Sequence, residues 1–122
     1  MKRGLVIDDS AVIRLVASRI LGLLHFQSAE ADDGAKALDY CNRQMPDVIL
    51  LDSSLPKGDP LEILRAIRRM PGGDATKIIF CATDNDPMVI GRILRAGADD
   101  VLFKPFDRRG MQEKFEDVGL VA

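Results

Sequence analysis

Apolar residues along the chain form short unbroken runs that alternate with stretches of helical period. Leu5-Val6-Ile7 is the first run and ends at Asp8-Asp9. From Ser10 the period changes, and Val12, Leu15, Val16, Ile20 and Leu23 fall on one helical stripe with Arg14 and Arg19 off it. Phe26 to Ala31 reads as a weaker strand. Asp33-Gly34 opens a helix holding Ala37, Leu38 and Cys41, with Asp33 suited to the N-cap. Met45-Pro46 stops it. Val48-Ile49-Leu50-Leu51 is fully apolar, as a strand buried on both faces is, and ends at Asp52. Asp59-Pro60 supplies an N-cap and a first helical residue ahead of Leu61, Leu64 and Ile67. After the break at Pro71-Gly72-Gly73, Ile78 to Ala82 predicts a fourth strand. Asp86-Pro87 opens a helix through Ile90, Ile93 and Leu94, closed near Gly97. Val101-Leu102-Phe103 is the fifth strand, and Met111, Phe115 and Val118 mark a final helix.

Five strands alternating with five helices predict an α/β fold, a parallel sheet covered on both faces. The 122 residues fit one compact domain, 1–122, with 47% apolar residues to build its core. The formal net charge of -2 gives no reason to expect DNA or a membrane as partner. Cys41 and Cys81 lie far apart in a chain with a single histidine, which argues against zinc. Cys81 reads as a small buried hydrophobe, and His25, between Leu24 and Phe26, as structural or exposed. Only three apolar residues separate Gly4 from the aspartates, too few for a signal peptide, and no run approaches membrane-spanning length. A cytoplasmic location is expected.

In parallel sheets ligands bind beyond the carboxyl ends of the strands. Four of the five predicted strands end there in reactive groups: Asp8 and Asp9, then Asp52, Thr83, and Lys104 followed by Pro105. Parallel strands gather these side chains on one rim. Three neighbouring carboxylates repel one another, and a hard divalent cation relieves that repulsion. Mg²⁺ could be held directly by Asp9 and Asp52, through water by Asp8, and by a backbone carbonyl after Asp52, that of Ser54. A carboxylate is a competent nucleophile for phosphoryl transfer. Mg²⁺, the Lys104 ammonium and the Thr83 hydroxyl would then each face one oxygen of the transferring group. Each residue alone has an ordinary structural explanation, and the coincidence of four strand ends carries the reading.

At these residues the chain resembles the receiver domain of two-component response regulators, from about Gly4 to Leu120. The matching stretches are Val6-Ile7-Asp8-Asp9-Ser10, Leu50-Leu51-Asp52 with Leu55-Pro56, Ala82-Thr83, Ala96-Gly97-Ala98 and Lys104-Pro105-Phe106. The resemblance implies a flavodoxin-like sheet in the order 2-1-3-4-5, as in the chemotaxis receiver CheY. It implies Asp52 as phosphoacceptor, Asp8 and Asp9 as the acidic Mg²⁺ pair, Thr83 and Lys104 as switch hydroxyl and lysine, and a cis Lys104-Pro105 bond. A histidine kinase or phosphotransfer protein would supply the phosphoryl group. The closing stretch from Lys104 to Leu120 is similar to that of short CheY-like receivers of alphaproteobacteria. It leads to the expectation of a stand-alone, monomeric regulator in chemotaxis or related signalling, a phosphoacceptor switch rather than an enzyme.

Three positions depart from the family pattern. Val101 stands where an aromatic residue commonly rotates, Pro60 where glycine is usual, and Asp84 where alanine or glycine often follows the switch hydroxyl. The first reading is a switch that presents the helix 4–strand 5–helix 5 face to a protein partner. Others are a phosphate sink without dedicated output, and a module in which Arg108 and Arg109, with Arg92 and Arg95, bind a cyclic dinucleotide. Ion pairs of these arginines on solvated helix faces are the competing explanation.

Overall fold

The computed structural model describes all 122 residues. Strands β1 (Arg3–Ile7), β2 (Gln27–Ala31), β3 (Val48–Asp52), β4 (Lys77–Ala82) and β5 (Asp100–Phe103) alternate with helices α1 (Ala11–Leu23), α2 (Gly34–Arg43), α3 (Pro60–Arg69), α4 (Pro87–Arg95) and α5 (Arg108–Asp117). The strands form one parallel sheet in the order β2-β1-β3-β4-β5. This is the expected doubly wound architecture.

The unbroken apolar runs follow from burial on both faces. Side chains alternate sides along a strand. Leu5, Ile7, Ile49, Leu51, Ile78 and Phe80 pack with α2, α3 and α4, while Val6, Val48, Leu50, Ile79, Cys81 and Leu102 pack with α1 and α5. Gly4 permits the close approach of α1, since a Cβ there would stand 3.1 Å from Leu21 Cδ1 and 3.2 Å from Val48 Cγ1. Phe26 meets Phe115 edge to face at 5.3 Å between ring centroids. Burial pushes the Cys41 thiol up to about 11 and, chiefly, the Cys81 thiol up to about 12, as suits two inert core cysteines.

Every helix begins at the rim where the strands end, and each carries a side-chain cap. Ser10, Asp33, Asp59, Asp86 and Asp107 accept hydrogen bonds from the backbone N–H groups of Ile13, Lys36, Leu61, Met88 and Gly110 at 2.8–3.3 Å. Each cap is worth about 1 kcal/mol. α1 ends with His25 in the left-handed region at φ 68°, where the Phe26 N–H reaches Leu21 O at 2.9 Å. His25 is exposed and its role is to end the helix.

The apolar stripe of α1 faces the other way from a core stripe. Of Val12, Leu15, Val16, Ile20 and Leu23, only Ile20 is buried; Val12 is 68%, Leu15 50% and Leu23 56% exposed. The sheet-facing side is Ala17, Ile20 and Leu21. Arg14 lies on the inner flank, donating to Glu30 at 3.0 Å and to Asp8 O at 2.8 Å.

Opposite the rim, Arg68 ties α3 to the turn before β5. Its guanidinium donates to Gly73 O at 2.9 Å, Thr76 O at 2.6 Å, Gly97 O at 2.7 Å and Asp99 Oδ2 at 2.9 Å. Gly97 needs no Cβ at φ 120°. Arg68→Ala is expected to lower stability by about 2–3 kcal/mol, since it strands the two part-buried carbonyls of Gly73 and Thr76. Urea unfolding at neutral pH measures this, and a loss below about 0.5 kcal/mol would reduce Arg68 to a surface residue.

Candidate functional site

β1 leads directly into Asp8 and Asp9, and β3 ends in Asp52. Because β1 and β3 are adjacent and in register, with Ile7 opposite Leu51, the two carboxylates emerge side by side. Asp8 and Asp52 are 2% and 4% exposed, whereas Asp9 is exposed. The three carboxylates can place one oxygen each within 4.8 Å of one another.

Lys104 reaches the same point from the far side of the sheet. Its backbone N–H bonds Ala82 O at 2.8 Å and extends the β4–β5 ladder past Phe103. From there its ammonium donates to Asp8 Oδ2 at 2.9 Å and Asp52 Oδ1 at 3.1 Å. Burial by itself would lower the pKa of this ammonium, but hydrogen bonds to Asp8 and Asp52, with their charge, outweigh it and raise the value. The Ser54 N–H also donates to Asp52 Oδ1 at 3.1 Å, and the Ser10 N–H to Asp8 Oδ1 at 2.9 Å. Asp52 Oδ2 keeps no protein partner and is the oxygen left for a ligand.

The structure thus brings Asp8, Asp52 and Lys104 into direct contact and sets Asp9 beside them. Ser54 stands in the loop after Asp52. Thr83 follows β4 on the rim but is exposed and makes no hydrogen bond to the other three. It lines a cavity of about 400 Å³ with Ser53, Ser54, Asp84 and Arg92. Arg14 and Ser10, which brace Asp8 through its carbonyl and carboxylate, were not foreseen. Arg14 had a signal, being a lone basic residue one and a half turns past the acidic pair. Three carboxylates against one ammonium leave an excess of negative charge on hard oxygen donors, one of them open to water. That donor set fits a divalent cation such as Mg²⁺.

Residues 5–116 match the model of the response regulator receiver domain. The chain belongs to this family. Among curated relatives, the receiver is 38% identical over 104 residues to the transcriptional regulatory protein PrrA of Mycobacterium tuberculosis, covering 85% of this chain and 44% of PrrA. It is 31% identical over 117 residues to the phosphate regulon regulator PhoB of Klebsiella pneumoniae, covering 96% and 51%. The chain spans about half the length of these relatives. Among solved structures, the receiver superposes on the chemotaxis protein CheY4 of Vibrio cholerae with a TM-score of 0.91 at 28% identity, over 97% of this chain and 98% of that one. The receiver domain of the sensor histidine kinase PA1611 from Pseudomonas aeruginosa, solved with magnesium in its active-site cleft, gives 0.85 at 29% identity over 97% and 98%. These likenesses confirm the CheY-like fold. No helix here is long and apolar enough to cross a membrane.

The departures from the family pattern have clear places. Val101 is buried in the core shared with α4. Pro60 is the first residue of α3 behind its Asp59 cap. Asp84 accepts from the Asp86 N–H at 2.9 Å. Arg108 is exposed, and Arg109 pairs with Glu113 at 3.3 Å on the surface of α5.

Replacing Lys104 by methionine keeps its length but leaves Asp8 and Asp52 uncompensated, and stability is expected to fall by about 2 kcal/mol. The lysine pKa is raised on folding, so its stabilisation is complete below the unfolded value of 10.5 and fades as pH rises through the folded value. The gap between wild type and Lys104→Met in urea unfolding should therefore hold from neutral pH to pH 9 and narrow above 10.5. A gap that closes already at mild alkaline pH would contradict the pairing.

Proposed function

We propose that this receiver accepts a phosphoryl group on Asp52 in a Mg²⁺-dependent reaction and signals through a protein partner. The observation that carries the reading is the contact of Lys104 with both Asp8 and Asp52 beside the open carboxylate of Asp9. A carboxylate oxygen of Asp52 attacks phosphorus in line. The bond from phosphorus to the donor's leaving group breaks, and its electron pair departs with that group, leaving an acyl phosphate. Lys104 is placed to move its ammonium from Asp52 to a phosphoryl oxygen. Thr83 stands on the rim where its hydroxyl can turn to another. Asp8, Asp9, Asp52 and the Ser54 carbonyl would hold Mg²⁺, which supplies positive charge against the phosphoryl oxygens. The chain is then a switch that catalyses its own modification.

Two apolar surfaces suit the two partners this function needs. The exposed stripe of α1 starts one turn from Asp9 and offers an apolar docking face to a phosphohistidine-bearing protein. On the other side, Leu94 of α4 and Phe103 of β5 are 43% and 41% exposed. Phe103 leads directly into Lys104, so movement of the lysine is felt there, and the α4–β5 side is the output face. A phosphate sink is the second reading, favoured by Val101, whose stiff, buried side chain cannot rotate as an aromatic ring does.

Incubation with phosphoramidate and Mg²⁺ should add one phosphoryl mass to the intact protein. Asp52→Asn and chelation should each abolish the addition, and labelling of Asp52→Asn at the wild-type rate would move the acceptor elsewhere. Backbone amide shifts on adding beryllofluoride with Mg²⁺ decide the output. Shifts extending to Leu94 and Phe103 support the switch, whereas shifts confined to the rim support the sink.

A further inference from the structure

On the reading that Asp8, Asp9 and Asp52 hold Mg²⁺, we propose that Arg14 is a positioning residue for the metal, fixing the Asp8–Asp9 peptide and so aiming the Asp9 carboxylate. Asp9 is exposed, and the hydrogen bonds that fix this corner fall on Asp8 instead. The Asp8 N–H donates to Ala31 O at 3.1 Å, and its Oδ1 accepts the Ser10 N–H at 2.9 Å. Its Oδ2 accepts the Lys104 ammonium at 2.9 Å, and its carbonyl accepts Arg14 Nη1 at 2.8 Å. That carbonyl belongs to the peptide that ends in the Asp9 N–H. The peptide is planar, so a guanidinium on its oxygen sets the plane from which Asp9 departs. The guanidinium is itself held. Its Nε donates to Glu30 Oε1 at 3.0 Å, and Ser18 Oγ donates to Glu30 Oε2 at 3.4 Å. The Arg14 side chain is only 18% exposed. A planar fork that serves two acceptors at once has little freedom left. Arg14 thereby ties α1, and β2 through Glu30, to the residue that follows β1. Its charge acts against its geometry. A guanidinium close to Asp8 lowers the affinity of the acids for another cation. Positioning and charge therefore predict opposite signs when Arg14 is replaced.

The test is a Mg²⁺ titration followed by the backbone amide resonances of Asp9, Asp52 and Ser53 in the folded protein. It yields a Kd without phosphoryl transfer, and lost stability does not enter it. Arg14→Gln removes both fork and charge. Arg14→Lys keeps the charge but has no planar fork to bridge Asp8 O and Glu30. Both are expected to bind Mg²⁺ about tenfold more weakly than wild type. The deficit of Arg14→Gln should widen at high salt, where the opposing effect of its lost charge is screened. Labelling by phosphoramidate should fall in both variants at low Mg²⁺ and recover at saturating Mg²⁺. Tighter binding by Arg14→Gln with unchanged binding by Arg14→Lys would reduce Arg14 to a charge and overturn the proposal. Unchanged affinity in both variants would overturn it too, as would a labelling defect that saturating Mg²⁺ does not repair. If Mg²⁺ moves none of these resonances in the wild type, the metal reading itself falls and takes this inference with it.

Discussion

Three carboxylates share one edge of this sheet, and a single ammonium, Lys104, is held between two of them at 2.9 and 3.1 Å. The arrangement depends on the sheet being parallel. Asp8, Asp52 and Lys104 belong to β1, β3 and β5 or the residues just past them, and only parallel strands deliver all three to one rim. Parallel strands in turn require a helix after each strand and burial on both faces, which explains the unbroken apolar runs of β3 and β4. The same winding starts all five helices at the rim. Their N-termini add partial positive charge on the side where the carboxylates are, though each is first taken by its own capping side chain.

The ion pair is also where stability and signalling conflict. In the resting site Lys104 compensates Asp8 and Asp52, and nothing compensates Asp9. A site made for stability would have fewer acids or a second cation. This one keeps an excess of negative charge that a divalent cation can neutralise, and keeps one oxygen of Asp52 without a protein partner. Lys104 is therefore held by interactions that a phosphoryl group can redirect, while its backbone is fixed by the N–H bond to Ala82 O at 2.8 Å.

How much could be read from the sequence follows from which constraints are local. Strand runs, the Asp-Pro helix starts at Asp59 and Asp86, and the order of reactive strand ends are local patterns, and the structure has them where they were expected, with strand limits shifted by a residue or two. Sheet order came from likeness to the family. The contact of Lys104 with Asp8 joins residues 96 positions apart, so the pattern could place both on the rim but could not show them touching. Thr83 was placed on the rim correctly, yet its hydroxyl bonds none of the other site residues, because side-chain direction is set by the loop through Asp84 and Asp86. Arg14 was set aside as a polar residue off the stripe, whereas the carbonyl of Asp8 and the carboxylate of Glu30 draw it inward.

The α1 stripe shows why periodicity alone misled there. α1 is apolar on more than one side, so the pattern had two candidate faces, and it picked the one with more apolar positions. What decides is the width of the gap over β1. Gly4 leaves room for Leu21, and the side of α1 set against the sheet by that contact is Ala17, Ile20 and Leu21. Val12, Leu15, Val16 and Leu23 are left facing water. A helix face of Val12, Leu15, Val16 and Leu23 costs solubility and gains nothing within the fold. Its position beside Asp9 gives it a use only when another protein covers the rim. On the proposed reading, a partner that delivers the phosphoryl group to Asp52 would cover this face and shield the forming acyl phosphate from water. On that reading the residues that spoiled the amphipathic pattern serve docking, and the core does without them.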